Sequence, residues 1–143
     1  MTDNFWRMNT HLIPYLNFDG NCKDAMMFYQ SVLGGNLSIQ TFEEAFPETP
    51  QEHKNRVMHA SLEAESIRIM ASDTSPEYGP PFVQGNNVHL SIIGNDESTL
   101  REWFGKLAEG GTVTMPMEKQ FWGDVFGMLI DKFGVNWMIN ITP

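Results

Sequence analysis

Cysteine is almost missing from this chain. Cys22 is the only one in 143 residues, so no intrachain disulfide can form and a reducing, cytoplasmic setting is expected. Basic residues are also scarce: 9 Lys and Arg face 18 Asp and Glu, for a net charge of −9. Phosphate backbones and anionic lipids would meet repulsion from such a chain, so nucleic acid and membrane surfaces are disfavoured as partners. No apolar run approaches the length of a membrane span. The opening segment, MTDNFWRMNT, lacks the apolar core of a secretory leader, and no leader is expected. What is present is globular: 41% hydrophobic and 19% charged residues. That suffices for one domain, or for two small modules sharing a core.

The most informative stretch runs from Trp122 to Ile141, WGDVFGMLIDKFGVNWMINI. Val125 to Ile130 is apolar and rich in β-formers. Val135 to Ile141 alternates, with Val135, Trp137, Ile139 and Ile141 on one face and Asn136, Met138 and Asn140 on the other. This is the period of a strand with two environments. Asp131-Lys132-Phe133-Gly134 forms the turn between them, and Asp131 is read as a turn residue only. The polar-flecked face must look into something other than ordinary core.

Earlier segments supply the strands this hairpin needs. Leu12 to Phe18 reads as a strand, and Asp19-Gly20-Asn21 as a turn that caps a helix from Cys22 to Leu33. Gly34-Gly35 stops that helix. Leu37 to Glu43 is a strand, residues 44–55 an exposed loop, and Arg56 to Glu63 and Ser66 to Ser72 two more strands. Residues 74–86, rich in Pro and Gly, form a linker. The order then repeats: a strand at Asn87 to Ile93, a helix at about 96–109 stopped by Gly110-Gly111, a strand at Thr112 to Met117, and the closing hairpin. The pattern predicts an α+β fold of two duplicated βαβββ modules, about 11–73 and 87–141.

The run GNCKDAMMFYQSVLGG after a PYLNF strand, the MHASLE strand and the terminal FWGDVFGMLIDKFGVNWMINI together resemble the PhnB-like branch of the vicinal oxygen chelate superfamily. Glyoxalase I, bleomycin resistance proteins and extradiol dioxygenases share that superfamily. The resemblance covers about residues 12 to 141. It implies a glyoxalase/bleomycin resistance-like fold, with two βαβββ modules whose curled mixed sheets surround a ligand cavity, and frequent homodimers. Some relatives are named for a ubiquinone-pathway methyl transfer. This sequence has no glycine-rich nucleotide turn after its first strand, so that name is not adopted.

Metal-dependent members of the superfamily draw His, Glu or Gln ligands from four strand positions. Here the matching places hold Ile13 or Pro14, Met70, His89 and Met138. Only His89 offers a nitrogen or oxygen donor. Thioethers suit soft copper(I) rather than the hard or borderline ions of this chemistry. No cofactor and no divalent metal are therefore expected.

Other candidates are weighed against blander roles. Alternation places His89 with Ser91 and Ile93, facing the presumed cavity, where an imidazole could donate a hydrogen bond or act as a base; a structural histidine is the plainer reading. His59 shares a face with Val57 and Ser61, and is more readily structural still. Arg68, on the Met70 and Ser72 face, could fork onto an anion or pair with Glu63 or Glu65. Tyr15 and Asn17 share one face of the first strand. Trp122, Phe126 and Trp137 could wall a flat ligand or be core. Cys22, at a helix start, could have a lowered pKa. His11 and His53 are expected to be solvated. Phe5 and Trp6 could join a dimer contact. The reading that results is a metal-free binding protein for an unidentified small molecule, forming a homodimer. Its alternative is a superfamily enzyme of lyase, isomerase or dioxygenase type using a metal or His89.

Overall fold

The structure is a computed structural model that describes residues 9–77 and 79–143. Phe5 and Trp6 lie outside the described residues. Two compact units are present: residues 1–26 with 35–81, and residues 27–34 with 82–143.

The first unit carries a four-stranded mixed sheet of β1 (Tyr15–Phe18), β2 (Asn36–Thr41), β3 (Val57–Glu63) and β4 (Arg68–Asp73), in the order β1-β4-β3-β2. β1 runs parallel to β4, and the other pairs are antiparallel. Helix α1 (Cys22–Leu33) follows β1. Its first five residues belong to this unit and the rest to the second. Leu16, Ala71, Ala60 and Ile39 stand in one cross-strand row, with Ile69, Leu62 and Leu37 in the next. Ile69, Ala60, Leu62 and Ala71 are buried, so this face is the core side.

Residues 44–55, expected as an exposed loop, are partly structured. Helix α2 (Phe42–Ala45) begins at Thr41, which forms a reciprocal capping box with Glu44, and a 3-10 turn covers Gln51–His53. Phe42 and Thr49 are buried there. The signature is a threonine followed three residues later by glutamate, and it satisfies two amide donors that a loop would leave to water.

The second unit repeats the plan. β5 (Leu90–Gly94), β6 (Thr112–Lys119), β7 (Val125–Ile130) and β8 (Asn136–Ile141) stand in the order β5-β8-β7-β6, with β5 parallel to β8. Helix α3 (Glu97–Leu107) is capped by the Asp96 side chain, which accepts from the Thr99 amide. Leu100, Phe104 and Leu107 are its buried stripe. Neither sheet closes on itself. The fold is thus α+β with a duplicated βαβββ order, as the repeated helix stops predict.

The second glycine of each stop has a stringent reason to be there. A Cβ on Gly35 would strike the Glu63 carbonyl, and one on Gly111 would strike the Ile130 carbonyl. Each lets the chain pass close against a neighbouring strand end, which no other residue permits.

Candidate functional site

β-strands send alternate side chains to opposite faces. In the first unit, the face away from the core is strongly polar. Across β1, β4, β3 and β2 one row reads Tyr15, Met70, Ser61 and Ser38. On one side of it lie Asn17 paired with Ser72, and His59 paired with Gln40. On the other side lie Arg68, Glu63 and Asn36. The sequence candidates Tyr15, Asn17, His59, Arg68 and Met70 therefore share one open face.

Side chains on this face bond to one another. The Tyr15 hydroxyl lies 3.3 Å from His59 Nδ1, with ring centroids 5.9 Å apart and tilted by 37°. β1 and β3 are separated by β4, so the two side chains reach toward each other over a strand, a span of about 10 Å between backbones. Ser72 Oγ stands 3.5 Å from Asn17 Oδ1. Arg68 meets Glu63 at 3.1 Å, the ion-pair alternative raised for it above. Ser61 Oγ is buried and has no hydrogen-bond partner among the described residues.

Val57 does not share the His59 face. Thr41 pairs with Val57 and Gln40 with His59, so the intervening Met58 is bulged and the alternation breaks. Val57 turns into the core, and its amide donates to Asp73 Oδ2 at 2.8 Å. Sequence spacing alone carries no mark of such a bulge.

The second unit offers a different open face. Met138 pairs with Met128 and with Ser91, and Asn140 pairs with Phe126 and Ile93. The Trp122 ring stands 6.2 Å from Phe126 and 5.0 Å from the exposed Phe121. Asn140 donates to Asp124 at 2.8 Å. His89 is half-buried and sits just before β5, two residues from Ser91. Trp137 does not belong to this aromatic group. It lies on the opposite, buried face, where its indole donates to Asp131 Oδ2 at 2.9 Å and its ring meets Tyr29 edge-on at 5.5 Å.

Asp131 is more than a turn residue. Its Oδ1 accepts from the Phe133 and Val135 amides, and its Oδ2 accepts from the Trp137 indole and, at 2.6 Å, from the Tyr29 hydroxyl. The carboxylate is buried, and these donors replace its water. Tyr29 lies 102 residues away, so only the turn half of this role has a local signal.

Cys22 also reverses its expectation. The thiol is fully buried, and desolvation, with the nearby Asp73 carboxylate, pushes its pKa up to about 12. The Asp73 carboxylate occupies the start of α1, accepting from the Gly20 and Cys22 amides. A buried thiol beside a carboxylate is inert rather than activated. His53 is likewise not simply solvated: its ring is half-buried, with Glu77 and Glu52 carboxylates 3.8 and 3.9 Å from Nε2. His11 is half-buried as well.

The sequence profile of the family described as 3-demethylubiquinone-9 3-methyltransferase matches residues 10–140. The chain belongs to this PhnB-like family. Protein YjdN of Escherichia coli is 36% identical over 142 residues, covering 92% of this chain and 95% of its own. The solved structure of PA1353 from Pseudomonas aeruginosa is 36% identical with a TM-score of 0.81, over 94% of this chain and 98% of that one. A PhnB protein from Bacillus cereus is 26% identical with a TM-score of 0.71, over 93% and 100%. A glyoxalase/bleomycin resistance protein/dioxygenase family enzyme from Burkholderia phytofirmans, 16% identical with a TM-score of 0.57 over 90% and 97%, shares the fold. The methyl-transfer name belongs to the family profile and fixes no reaction for this chain.

Where the resemblance sets three of the four superfamily ligand positions, Ile13 or Pro14, Met70 and Met138 offer no nitrogen or oxygen side-chain donor. Among the described residues, no group of three or more His, Cys, Asp or Glu side chains converges on a point. The described side chains can instead offer hydrogen bonds, thioether contacts and aromatic faces.

Proposed function

We propose that this chain is a metal-independent small-molecule-binding protein of the PhnB-like family. The observation that supports it is the open face of the first unit's sheet. Tyr15, Asn17, His59, Ser61, Arg68 and Ser72 crowd hydrogen-bonding groups onto that face around Met70. The thioethers at Met70 and Met138 adapt to ligand shape more readily than branched side chains do.

No described helix is long and apolar enough to cross a membrane, and the acidic balance disfavours nucleic acid. A cytoplasmic homodimer is the proposed form. The edge strand β6 exposes Val113 and Met115, and two-fold pairing of copies would cover such an edge. Light scattering at micromolar concentration tests this, and a monomer would count against it.

The binding reading is tested by a thermal-shift screen of small molecules, run alongside metal analysis by mass spectrometry after dialysis against zinc, nickel and manganese in turn. A ligand at a hundredfold excess over its Kd should add about 2.7 kcal/mol of stability. Metal should remain far below one equivalent. Retention of about one equivalent per chain, lost in His89→Ala, would replace this reading with a metal-dependent enzyme.

A further inference from the structure

We propose that the hairpin tip between β6 and β7 takes a quaternary ammonium group, held on the rings of Trp122, Phe121 and Phe126 and flanked by the Glu118 and Asp124 carboxylates. All of these residues belong to the second unit, so the site goes beyond the reading given above and does not depend on it.

The rings come first. The Trp122 centroid stands 5.0 Å from that of Phe121, with the planes at 90°, and 6.2 Å from that of Phe126, with the planes at 63°. Rings set edge-to-face leave π-faces uncovered, where flat stacking would hide them. Phe121 is 97% exposed and Trp122 50% exposed, so those faces are open to an arriving group. Phe121 gains nothing from folding there, since its area stays in water.

The turn that holds the rings is fixed. The Gln120 amide donates to the Asp124 carbonyl at 2.8 Å, and the Gly123 amide to the Gln120 carbonyl at 3.0 Å. The Gln120 side chain donates to the Glu118 carbonyl at 2.9 Å. Gly123 takes φ 103°, which glycine alone adopts cheaply. The tip is thus set before a ligand arrives, and little ordering cost remains at binding.

Charge selects the ligand. The negative π-faces attract a cation. Glu118 stands directly across from Phe126 on β6, and Asn140 directly across from it on β8. Asn140 donates to Asp124 Oδ2 at 2.8 Å, which holds that carboxylate beside the same row. Carboxylates therefore flank Phe126 on both sides, and among the described residues neither belongs to an ion pair. Lys119 pairs with Val125, one residue along, so alternation sends it to the opposite face. A quaternary ammonium has no N–H to satisfy, and ring faces can replace its water. A primary ammonium is strongly hydrated and asks for converging acceptors, whereas Asp124 Oδ2 is already engaged by Asn140.

Calorimetric titration of the full chain with choline, 3,3-dimethylbutan-1-ol and ethanolamine tests the proposal. The alcohol is the neutral isostere of choline, and ethanolamine is its unmethylated counterpart. Choline should bind with a Kd of roughly 1 mM, and both others about threefold to tenfold more weakly. Trp122→Leu should weaken choline about threefold to tenfold, Trp122→Phe much less, and Glu118→Gln about twofold to fourfold. Melting temperatures report that the variants fold. Phe121→Leu, at a side chain almost wholly in water, repeats the ring test if Trp122→Leu does not fold. Equal affinity for choline and its isostere, tighter binding of ethanolamine, unaltered choline binding in the folded leucine variants, or no binding up to about 20 mM would each overturn it. None of these variants alters the first unit's face, so the binding-protein reading stands or falls by its own screen.

Discussion

Asp131→Asn isolates what the buried carboxylate does. In the native protein, Asp131 Oδ1 holds two backbone amides of the turn, at 2.8 and 3.0 Å, and Oδ2 holds the Tyr29 hydroxyl and the Trp137 indole, at 2.6 and 2.9 Å. Asparagine keeps the shape but must point an NH2 group at one of these pairs. Facing the turn amides, it would meet two donors that cannot reverse. Facing Tyr29 and Trp137, it meets one donor that can rotate and accept, and one indole N–H that cannot. The second orientation is cheaper, yet it strands the indole and removes the charge from every remaining bond. Loss of charge-assisted bonds and one unpaired buried donor together cost about 2–4 kcal/mol. For a domain of this size that lowers Tm by roughly 6–12 °C. Urea unfolding followed by tryptophan fluorescence measures it, with the m-value as a check that compactness is unchanged. Tyr29→Phe should cost about 1.5–3 kcal/mol alone, and clearly less in the Asp131→Asn background, because the two groups share one bond. A loss below about 1 kcal/mol for Asp131→Asn, or strict additivity of the pair, would refute the account.

Further outcomes follow from the thiol and the glycines. Cys22 should resist a disulfide reagent at pH 8 in the folded protein and react at once in urea. Because its folded pKa is raised to about 12 from 9.0, its contribution to stability is intact below pH 9 and declines as pH climbs toward 12; the slope approaches about 1.4 kcal/mol per pH unit, and an identical alkaline slope in Cys22→Ala would contradict it. Gly34→Ala, at φ 79° with open space around the new methyl, should cost about 1–2 kcal/mol from backbone strain alone. Gly35→Ala adds a collision with the Glu63 carbonyl and should cost distinctly more in a thermal melt; equal losses would show that the close approach is soft.

Local signals in the sequence were strong where one element sufficed to explain them. Cys22–Leu33 is helical over the range its apolar spacing and Gly-Gly stop predict, and α3 lies within the range of about 96–109 read for it. Alternation correctly put Tyr15 with Asn17, and Arg68 with Met70 and Ser72. Where an outcome depended on a distant partner, the sequence was silent. Nothing near Trp137 announces Tyr29, and nothing near Cys22 announces Asp73. The bulge at Met58 has no residue signature, so simple alternation sets Val57 on the face opposite to the one it takes. The capping box from Thr41 to Glu44 is legible in the sequence, but the prolines and glutamates that follow it read as loop.

The two units show which parts of a duplicated plan are held by geometry and which are free to diverge. Both keep the sheet order, with the first strand parallel to the last, and both keep a glycine where a strand-end carbonyl leaves no room for a methyl. These features position backbone, and any departure strains the chain itself. The open faces carry no such constraint. In the first unit that face holds Tyr15, Asn17, His59, Ser61 and Ser72, while in the second it holds Ile93, Phe126, Met128 and Met138 with Ser91 and Asn140 between them. One scaffold therefore presents a hydrogen-bonding surface in one copy and a mainly apolar one in the other.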